Sequence, residues 1–499
     1  MGQVILFLAL LHLVSAYWDK QHTNGEISYL LNDISKECPD ISHVYQLDDG
    51  GDKYTAGGNN LTVIVFAKYP FSEVPGVPEF KYVANMHGNE AVGRELLLRL
   101  AFDICKRWRN MDPKISRLVG TTRIHLLPTM NPDGWEKAYK SDEKMREDIG
   151  RLNKNRTDLN RDFPDLDQKV FNYAFDNGPT DHLYNYTKEK NKGRFQKETR
   201  MIMQWLDQYN FVLSANIHGG DLVVNYPYDN SPSGRAVPSK TPDHNIFLEL
   251  AHSYAEFNPL MREGINASPE FDKDFKHGTV NGADWYPITG SMQDYNYLAT
   301  NAFELTLEVG IPKFPPAEEL ENYWDQNREA LYNFMAQVHR GIKGSIHGFD
   351  GQKLTVLANA VVSVTNTTDP NNAIPITHNI WSGSNGYYYR LLNRGRYTVT
   401  FKALGYVPAI VCVTIDHVPE WKSSLQEAKI LNAVLFKEEI RPSPQLMSQV
   451  NFKDTINSYG DTRCGNLSSR IDAQQRVSRH WKSTRTDSIK SDVVLAPII

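Results

Sequence analysis

The chain has little that is long and apolar, few cysteines and no excess of positive charge, and each shortage removes a class of protein. Its one sustained apolar stretch, Val4 to Val14, is too short to span a bilayer, and no second segment of membrane length follows. The closing run Val493 to Ile499 is too short for a span or a lipid-anchor signal. A formal net charge of -5 leaves no basic footprint for nucleic acid. Four cysteines (Cys38, Cys105, Cys412 and Cys464) in 499 residues cannot form a disulfide scaffold, although an even number permits pairing. Cys38 with Cys105 is the expected bridge, since both lie in the first domain. No internal repeat is visible.

The apolar stretch ends at Val14-Ser15-Ala16, small residues suited to signal peptidase. Residues 1–16 therefore read as a secretory signal, although Met1-Gly2-Gln3 lacks Lys or Arg. Six N-x-S/T sequons, at Asn60, Asn155, Asn185, Asn266, Asn366 and Asn466, agree with a secretory route. The mature protein is expected to be soluble, either extracellular or in the lumen of a secretory granule. With 40% apolar residues there is ample material for a core, and the length predicts two or three domains.

Residues 17–343 alternate strand-like and helix-like segments. Strands are predicted at His43 to Leu47, Leu61 to Ala67, Phe80 to Asn85, Thr121 to Leu127, Phe211 to His218 and Ala302 to Val309. Helices are predicted over 17–40, 92–108, 195–209, 245–257 and 316–342. The pattern argues for an α/β domain with a mixed central sheet flanked by helices. Residues 136–195 read as a polar, loop-rich rim. From Gly344 to about Lys437 the pattern becomes short alternating strands, at 360–364, 386–390, 397–401 and 411–415, which suggests a small β-sandwich. Residues 438–499 are polar, without clear periodicity, and read as a flexible tail.

Chemistry concentrates at Met86-His87-Gly88-Asn89-Glu90, between a predicted strand and a helix whose Val92, Leu96, Leu100, Ile104 and Trp108 recur every four residues. A His and a Glu three apart at a strand end can aim a nitrogen and a carboxylate at one point. That is two thirds of a catalytic zinc site, which takes three protein ligands. The third is expected from another strand end, where His218 precedes Gly219-Gly220. His125 sits mid-strand and reads as structural; His244 and His252 flank an apolar helix and read as surface. A hydrolytic site also needs a general base. In Phe303 to Val309, Glu304, Thr306 and Glu308 share one face of a strand, and the spacing leaves open which glutamate acts.

The combination of His87-Gly88-Asn89-Glu90, Asp158-Leu159-Asn160-Arg161, His218-Gly219-Gly220 and Phe303-Glu304-Leu305-Thr306-Leu307-Glu308 resembles the zinc metallocarboxypeptidases. It is most similar to the regulatory subfamily of carboxypeptidases E, N, M and D, over roughly residues 25–437. The resemblance implies one zinc ion held by His87, Glu90 and His218, with Glu308 as the base and Glu304 structural. It makes Arg151 the stabiliser of the oxyanion, and Asn160, Arg161 and Tyr286 the residues that hold the substrate's terminal carboxylate. Residues 17–343 become the catalytic domain, and 344–437 a transthyretin-like domain.

By the same resemblance Asp229 and Gln293 line the pocket for the departing side chain. A carboxylate beside an amide suits Lys or Arg and disfavours apolar ends. The implied activity is removal of C-terminal Lys or Arg from peptides and proteins, as in prohormone or neuropeptide processing. Ala302 and Gly310 stand where many relatives have cysteines, and Gly290-Ser291-Met292 replaces the common Gly-Gly-Met; neither change removes a catalytic group. The competing reading is a non-catalytic peptide-binding or adhesion protein on the same fold, against which the complete set of site residues argues. A digestive carboxypeptidase is disfavoured because no activation segment is read after Ala16. Arg470, Arg476, Arg479 and Lys482 suggest a weak membrane-binding or sorting helix in the tail, although its apolar face is poor.

Overall fold

The computed structural model describes residues 20–177, 194–264, 275–421, 425–441, 443–450 and 455–457. The signal segment, Cys464, the sequons at Asn185, Asn266 and Asn466, and the basic residues from Arg470 onward lie outside them.

Thr23 and Glu26 cap each other's backbone to start α1 (Asn24–Glu37), which buries Ile27, Leu30, Leu31 and Ile34. Strands β1 (Ser42–Gln46), β2 (Thr62–Phe66) and β3 (Glu79–Ala84) follow. Helix α2 (Val92–Arg109) buries Val92, Leu96, Leu100 and Ile104, as its four-residue spacing predicts, with Trp108 at the margin. Thr121, where a strand was expected to begin, instead ends a short helix, α3 (Pro113–Thr121). Asp112 caps it by accepting from the backbone N–H groups of Lys114 and Ile115, and β4 (Arg123–Leu127) starts two residues later.

The expected rim is more helical than its polarity suggested. Asn131 caps α4 (Pro132–Tyr139), which buries Trp135 and Ala138, and α5 (Asp167–Asn177) lies further along. Such short helices carry too few apolar positions for a periodic signal, so their caps and packing decide them. The domain is completed by α6 (Lys197–Gln208), β5 (Phe211–His218), β6 (Asp221–Tyr226), α7 (His244–Ala255), β7 (Thr279–Asn281), α8 (Met292–Ala299), β8 (Phe303–Gly310) and α9 (Leu320–Ala336).

The eight strands form one mixed sheet in the order β1-β2-β4-β3-β5-β8-β6-β7. At its centre β4, β3, β5 and β8 run parallel, while β6 is antiparallel to β8. Helices α1 and α2 pack together, and α9 packs on α2 and α7. The Cys38–Cys105 disulfide forms as expected, joining the end of α1 to α2. Among the described residues no helix is long and apolar enough to cross a membrane.

One polar row crosses the apolar centre. Lys81 lies beside Ser214 and Ser214 beside Glu304 in the parallel register. Lys81 Nζ sits 2.5 Å from Glu304 Oε2, Ser214 Oγ donates to the same oxygen at 2.7 Å, and all three residues are fully buried. Burial lowers the Lys81 pKa and raises that of Glu304, with the partner's charge opposing each shift.

Beyond α9 the chain is all β. Strand β9 (Ile342–Phe349) takes β10 (Leu354–Val356) and β13 (Tyr387–Arg390) antiparallel, and β16 (Lys429–Ile430) and β17 (Asn432–Phe436) parallel. A separate four-stranded sheet has the order β12-β11-β14-β15, built from β11 (Val361–Asn366), β12 (Ile374–Trp381), β14 (Gly395–Lys402) and β15 (Ala409–Ile415). All four strands read from the sequence are present; β9, β10, β12, β16 and β17 are additional. The segment expected to be a structureless tail contributes β18 (Thr455–Asn457), parallel to β17. Val450 is buried with Phe349, Val434 and Phe436, because this edge of the sheet still has apolar surface to cover.

The Lys81–Glu304 pair yields a stability prediction. Lys81→Ala leaves Glu304 buried without its partner and should lower the unfolding free energy by about 3–5 kcal/mol. The double replacement Lys81→Met with Glu304→Leu should recover most of that loss, as read by denaturant unfolding followed by circular dichroism.

Candidate active site

The site lies where the central strands end. Parallel pairing sets Ala84 beside Ile217 and His218 beside Glu308, so three chain segments leave the sheet at one level. Asn85, just past β3, has φ of 57° and folds its amide back under the turn. Its Nδ2 donates to the carbonyls of His87, Gly88 and Glu90 at 3.0, 3.0 and 3.1 Å, and its Oδ1 accepts from Thr129 at 2.8 Å. Gly88 presses on the backbone of α4, where a Cβ would lie 2.2 Å from the carbonyl carbon of Gly134. On β5 the exit is made by Gly220, whose φ of 118° favours glycine.

These turns bring His87, Glu90 and His218 together, all at most 3% exposed. Glu90 Oε2 is 3.0 Å from His87 Nδ1 and 2.9 Å from His218 Nδ1, and the two Nδ1 atoms are 3.1 Å apart. Three lone-pair donors so close need a cation or shared protons between them. Two imidazoles and a carboxylate are the donor set of catalytic zinc.

The surroundings fit a metal as well. His87 Nε2–H donates to Asp158 Oδ1 at 3.0 Å, which turns the Nδ1 lone pair inward. Asn216 Nδ2 lies 2.7 Å from His218 Nε2, and Asn216 Oδ1 is buried with no hydrogen-bond partner among the described residues. Turning that amide over lets Oδ1 accept from Nε2–H, leaving the His218 Nδ1 lone pair to a metal as well. Burial disfavours the Glu90 charge, yet the imidazoles of His87 and His218 hold its carboxyl well below the usual range.

The two glutamates left open by their spacing part company here. Glu304 is committed to Lys81 and Ser214, whereas Glu308 lines the cleft, its Oε2 buried and, among the described residues, without a hydrogen-bond partner. Burial first, then the charges of Glu90 and Asp221, push the Glu308 carboxyl well above its ordinary pKa. Arg151 is a third exposed; its Nε and Nη2 donate to Asp158 Oδ2 at 3.1 and 2.9 Å, and its Nη1 lies 3.4 Å from Glu90 Oε1. Asp158 thus braces both His87 and Arg151.

Asn160 Oδ1 accepts from the backbone N–H of Met292 at 3.0 Å, tying it to the start of α8, and Arg161 is exposed beside it. Tyr286 packs against Trp285 at the rim. Deeper in, Gln293 Nε2 donates to Asp229 Oδ1 at 3.0 Å and Asn225 Oδ1 at 3.2 Å. Asp229 and Gln293 are 2% and 1% exposed. Except for Gln293, whose amide is bonded to Asp229, the residues to which the resemblance gives a metal-binding, catalytic or substrate-binding role line one cavity of about 110 Å³.

Several neighbours escaped the sequence reading. Asn85, Asn216 and Asp221 belong to no spacing pattern, and Asp158 was part of a quoted motif without a task of its own. The departures are explained locally. A Cβ on Gly310 would meet the Tyr323 ring at 2.3 Å, so that ring fills the space a cysteine would need. Ser291 Oγ caps α8 by accepting from the Asp294 backbone N–H at 3.2 Å. His125 is structural, bonded to Tyr45 and Glu79 in the core, while His244 and His252 are half-buried rather than free on the surface.

A zinc carboxypeptidase family model matches residues 27–330. The chain belongs to the zinc carboxypeptidase family. It is 41% identical to the human carboxypeptidase N catalytic chain over 415 residues, 82% of this chain and 86% of that one. It is 36% identical to carboxypeptidase E of Caenorhabditis elegans, covering 88% and 91% of the two chains. It is 40% identical to human carboxypeptidase D over 79% of this chain and 26% of that protein. These relatives are consistent with the regulatory subfamily. The chain is a metallocarboxypeptidase and the family's metal is zinc, for which the His87–Glu90–His218 group offers a place.

Zinc binding has a readout independent of turnover. Saturation at about 100 times the dissociation constant should stabilise the native protein by about 2.7 kcal/mol. This appears as a higher Tm that a chelator reverses. His218→Ala should abolish the zinc-dependent increment, as measured by differential scanning calorimetry with and without zinc.

Proposed function

We propose that this enzyme removes C-terminal Lys or Arg from peptides and proteins in the secretory pathway, with prohormone or neuropeptide processing as its setting. The observation that carries the reading is the buried Asp229–Gln293 pair at the deep end of the cleft. A carboxylate held there by an amide has room for a cationic head and is costly to cover with an apolar one. Secretion is inferred from the segment ending at Ala16 and from the sequons.

In this reading His87, Glu90 and His218 hold zinc, which supplies Lewis acidity toward the scissile carbonyl. Asn160, Arg161 and Tyr286 bind the terminal carboxylate, for which a planar guanidinium offers paired donors. Glu308 takes a proton from the attacking water and passes it to the leaving amine. Burial, which raises its pKa, favours the protonated form once the proton is taken, and the same carboxyl can then return it. Arg151, held by Asp158, donates to the oxygen that becomes negative in the transition state. Residues 17–343 form the catalytic domain, the all-β region 344–437 is transthyretin-like, and the tail from 438 offers a weak membrane contact.

Two outcomes test this. Peptides differing only in the last residue should be cleaved when it is Arg or Lys and spared when it is Leu or Glu. Asp229→Asn should weaken transition-state binding of the basic substrates by about 2–5 kcal/mol. Cleavage of the Leu peptide instead would sink the pocket assignment. The second outcome concerns pH. Burial pushes Asp229 up to about 6, against a hydrogen bond from Ser291 and the charge of Arg161. Its negative charge is thus present above pH 6 and lost below, so KM for a terminal Arg should rise as pH falls through about 6. The Asp229→Asn variant should lack that rise in a KM-against-pH profile.

A further inference from the structure

One carboxylate in the cleft has no task in the reaction above. Asp221 is 2% exposed and lines the same cavity as Glu308 and Asp229. Its Oδ1 accepts from the Leu222 backbone N–H at 2.8 Å, and among the described residues its Oδ2 has no hydrogen-bond partner. The neighbouring cation, Lys313, does not pair with it: the Lys313 stem crosses Gly220 and its Nζ lies 3.9 Å from Glu90 Oε1. A buried carboxylate without a counter-charge is costly to keep, and burial accordingly raises its pKa.

Its position follows from the antiparallel register of β6 and β8, in which Asn225 faces Thr306, Val223 faces Glu308 and Asp221 faces Gly310. Side chains alternate along a strand, so Asn225, Val223 and Asp221 share the face that carries Thr306 and Glu308. At one end of this row Asn225 shares the Gln293 amide with Asp229. Glu308 stands in the middle. Asp221 lies two residues further, a step of about 7 Å, on the side away from Asp229. A peptide with its last side chain at Asp229 and its scissile bond at Glu308 continues toward Asp221.

We propose that Asp221 is a second specificity-determining carboxylate, which reads a Lys or Arg at the penultimate position of the substrate. The enzyme then favours chains ending in two consecutive basic residues. The proposal rests on the reading of Asp229 as the pocket for the last residue.

The test holds the last residue at Arg and varies the one before it through Arg, Lys, Gln, Ala and Glu, with kcat/KM measured for each. A hydrogen bond to a charged partner is worth about 1.5–3 kcal/mol, so penultimate Arg should be preferred over Gln by roughly tenfold or more. Glu should be the poorest. In Asp221→Asn the Arg-to-Gln ratio should fall toward one, and in Asp221→Glu the preference should return. Ratios within one preparation cancel any common loss of activity, and the wild-type series alone remains decisive if a variant fails to fold. An equal rate for all penultimate residues in the wild type overturns the proposal while leaving the terminal-Arg reading intact. A ratio unchanged in Asp221→Asn also overturns it. Absence of cleavage after every terminal Arg overturns both.

Discussion

Parallel pairing of β3, β5 and β8 carries the rest of the structure, because it brings three strand ends to one level and one side. His87 and Glu90 leave β3, His218 closes β5, and Glu308 sits opposite His218 on β8. A slip of one residue in any of these pairings would turn its site residue to the opposite face of the sheet. The buried Lys81–Ser214–Glu304 row crosses the same three strands. Any other register would leave these charges buried without partners, so the row disfavours misalignment.

Above the sheet, short polar contacts convert that alignment into a site. Asn85 spends its amide on three carbonyls of the His87–Glu90 turn, fixing backbone that would otherwise be free. Asp158 orients His87 with one oxygen and Arg151 with the other. Helix α8 links the two parts of the cleft to which the proposed function gives the terminal carboxylate and the last side chain. Its first N–H is bound by Asn160, and its second residue, Gln293, is bound to Asp229. The same helix reaches the all-β region: Tyr297 donates to Asp243, which also accepts from Arg390 of β13, and the Tyr297 ring stacks 4.0 Å from His378 of β12. The all-β region therefore buttresses the helix that carries Gln293.

The cleft lining gathers the carboxylates Glu90, Asp221, Asp229 and Glu308 with Arg151, Arg161 and Lys313, and Asp158 is bonded to Arg151. Low dielectric makes each charge there expensive unless it is matched. Their environments separate them: the imidazoles beside Glu90, and His87 with Arg151 beside Asp158, hold those carboxyls low, whereas Glu308, Asp221 and Asp229 are pushed upward by burial. The first group suits a metal and its support. The second suits proton transfer and, in the function proposed, the capture of cationic side chains.

Much of this was legible in the sequence, since period and order reveal strands and helices where apolar patterns are long. The 92–108 stripe, the strand ends at His218 and Glu308, and the change to short strands after α9 all belong to that class. Short capped helices such as α3 and α4, and strands such as β6 and β12, were not legible, because tertiary packing decides them. By itself the sequence determined which residue types could reach a strand end: an H-x-x-E turn, a His before two glycines, and a glutamate pair on one strand face. Spacing left Glu304 and Glu308 alike and the family resemblance favoured Glu308; the tertiary structure adds a physical reason, burying Lys81 against Glu304. Only it placed Asn85, Asn216 and Asp221 at the site, because hydrogen bonds and sheet register across hundreds of residues leave no local trace in the chain.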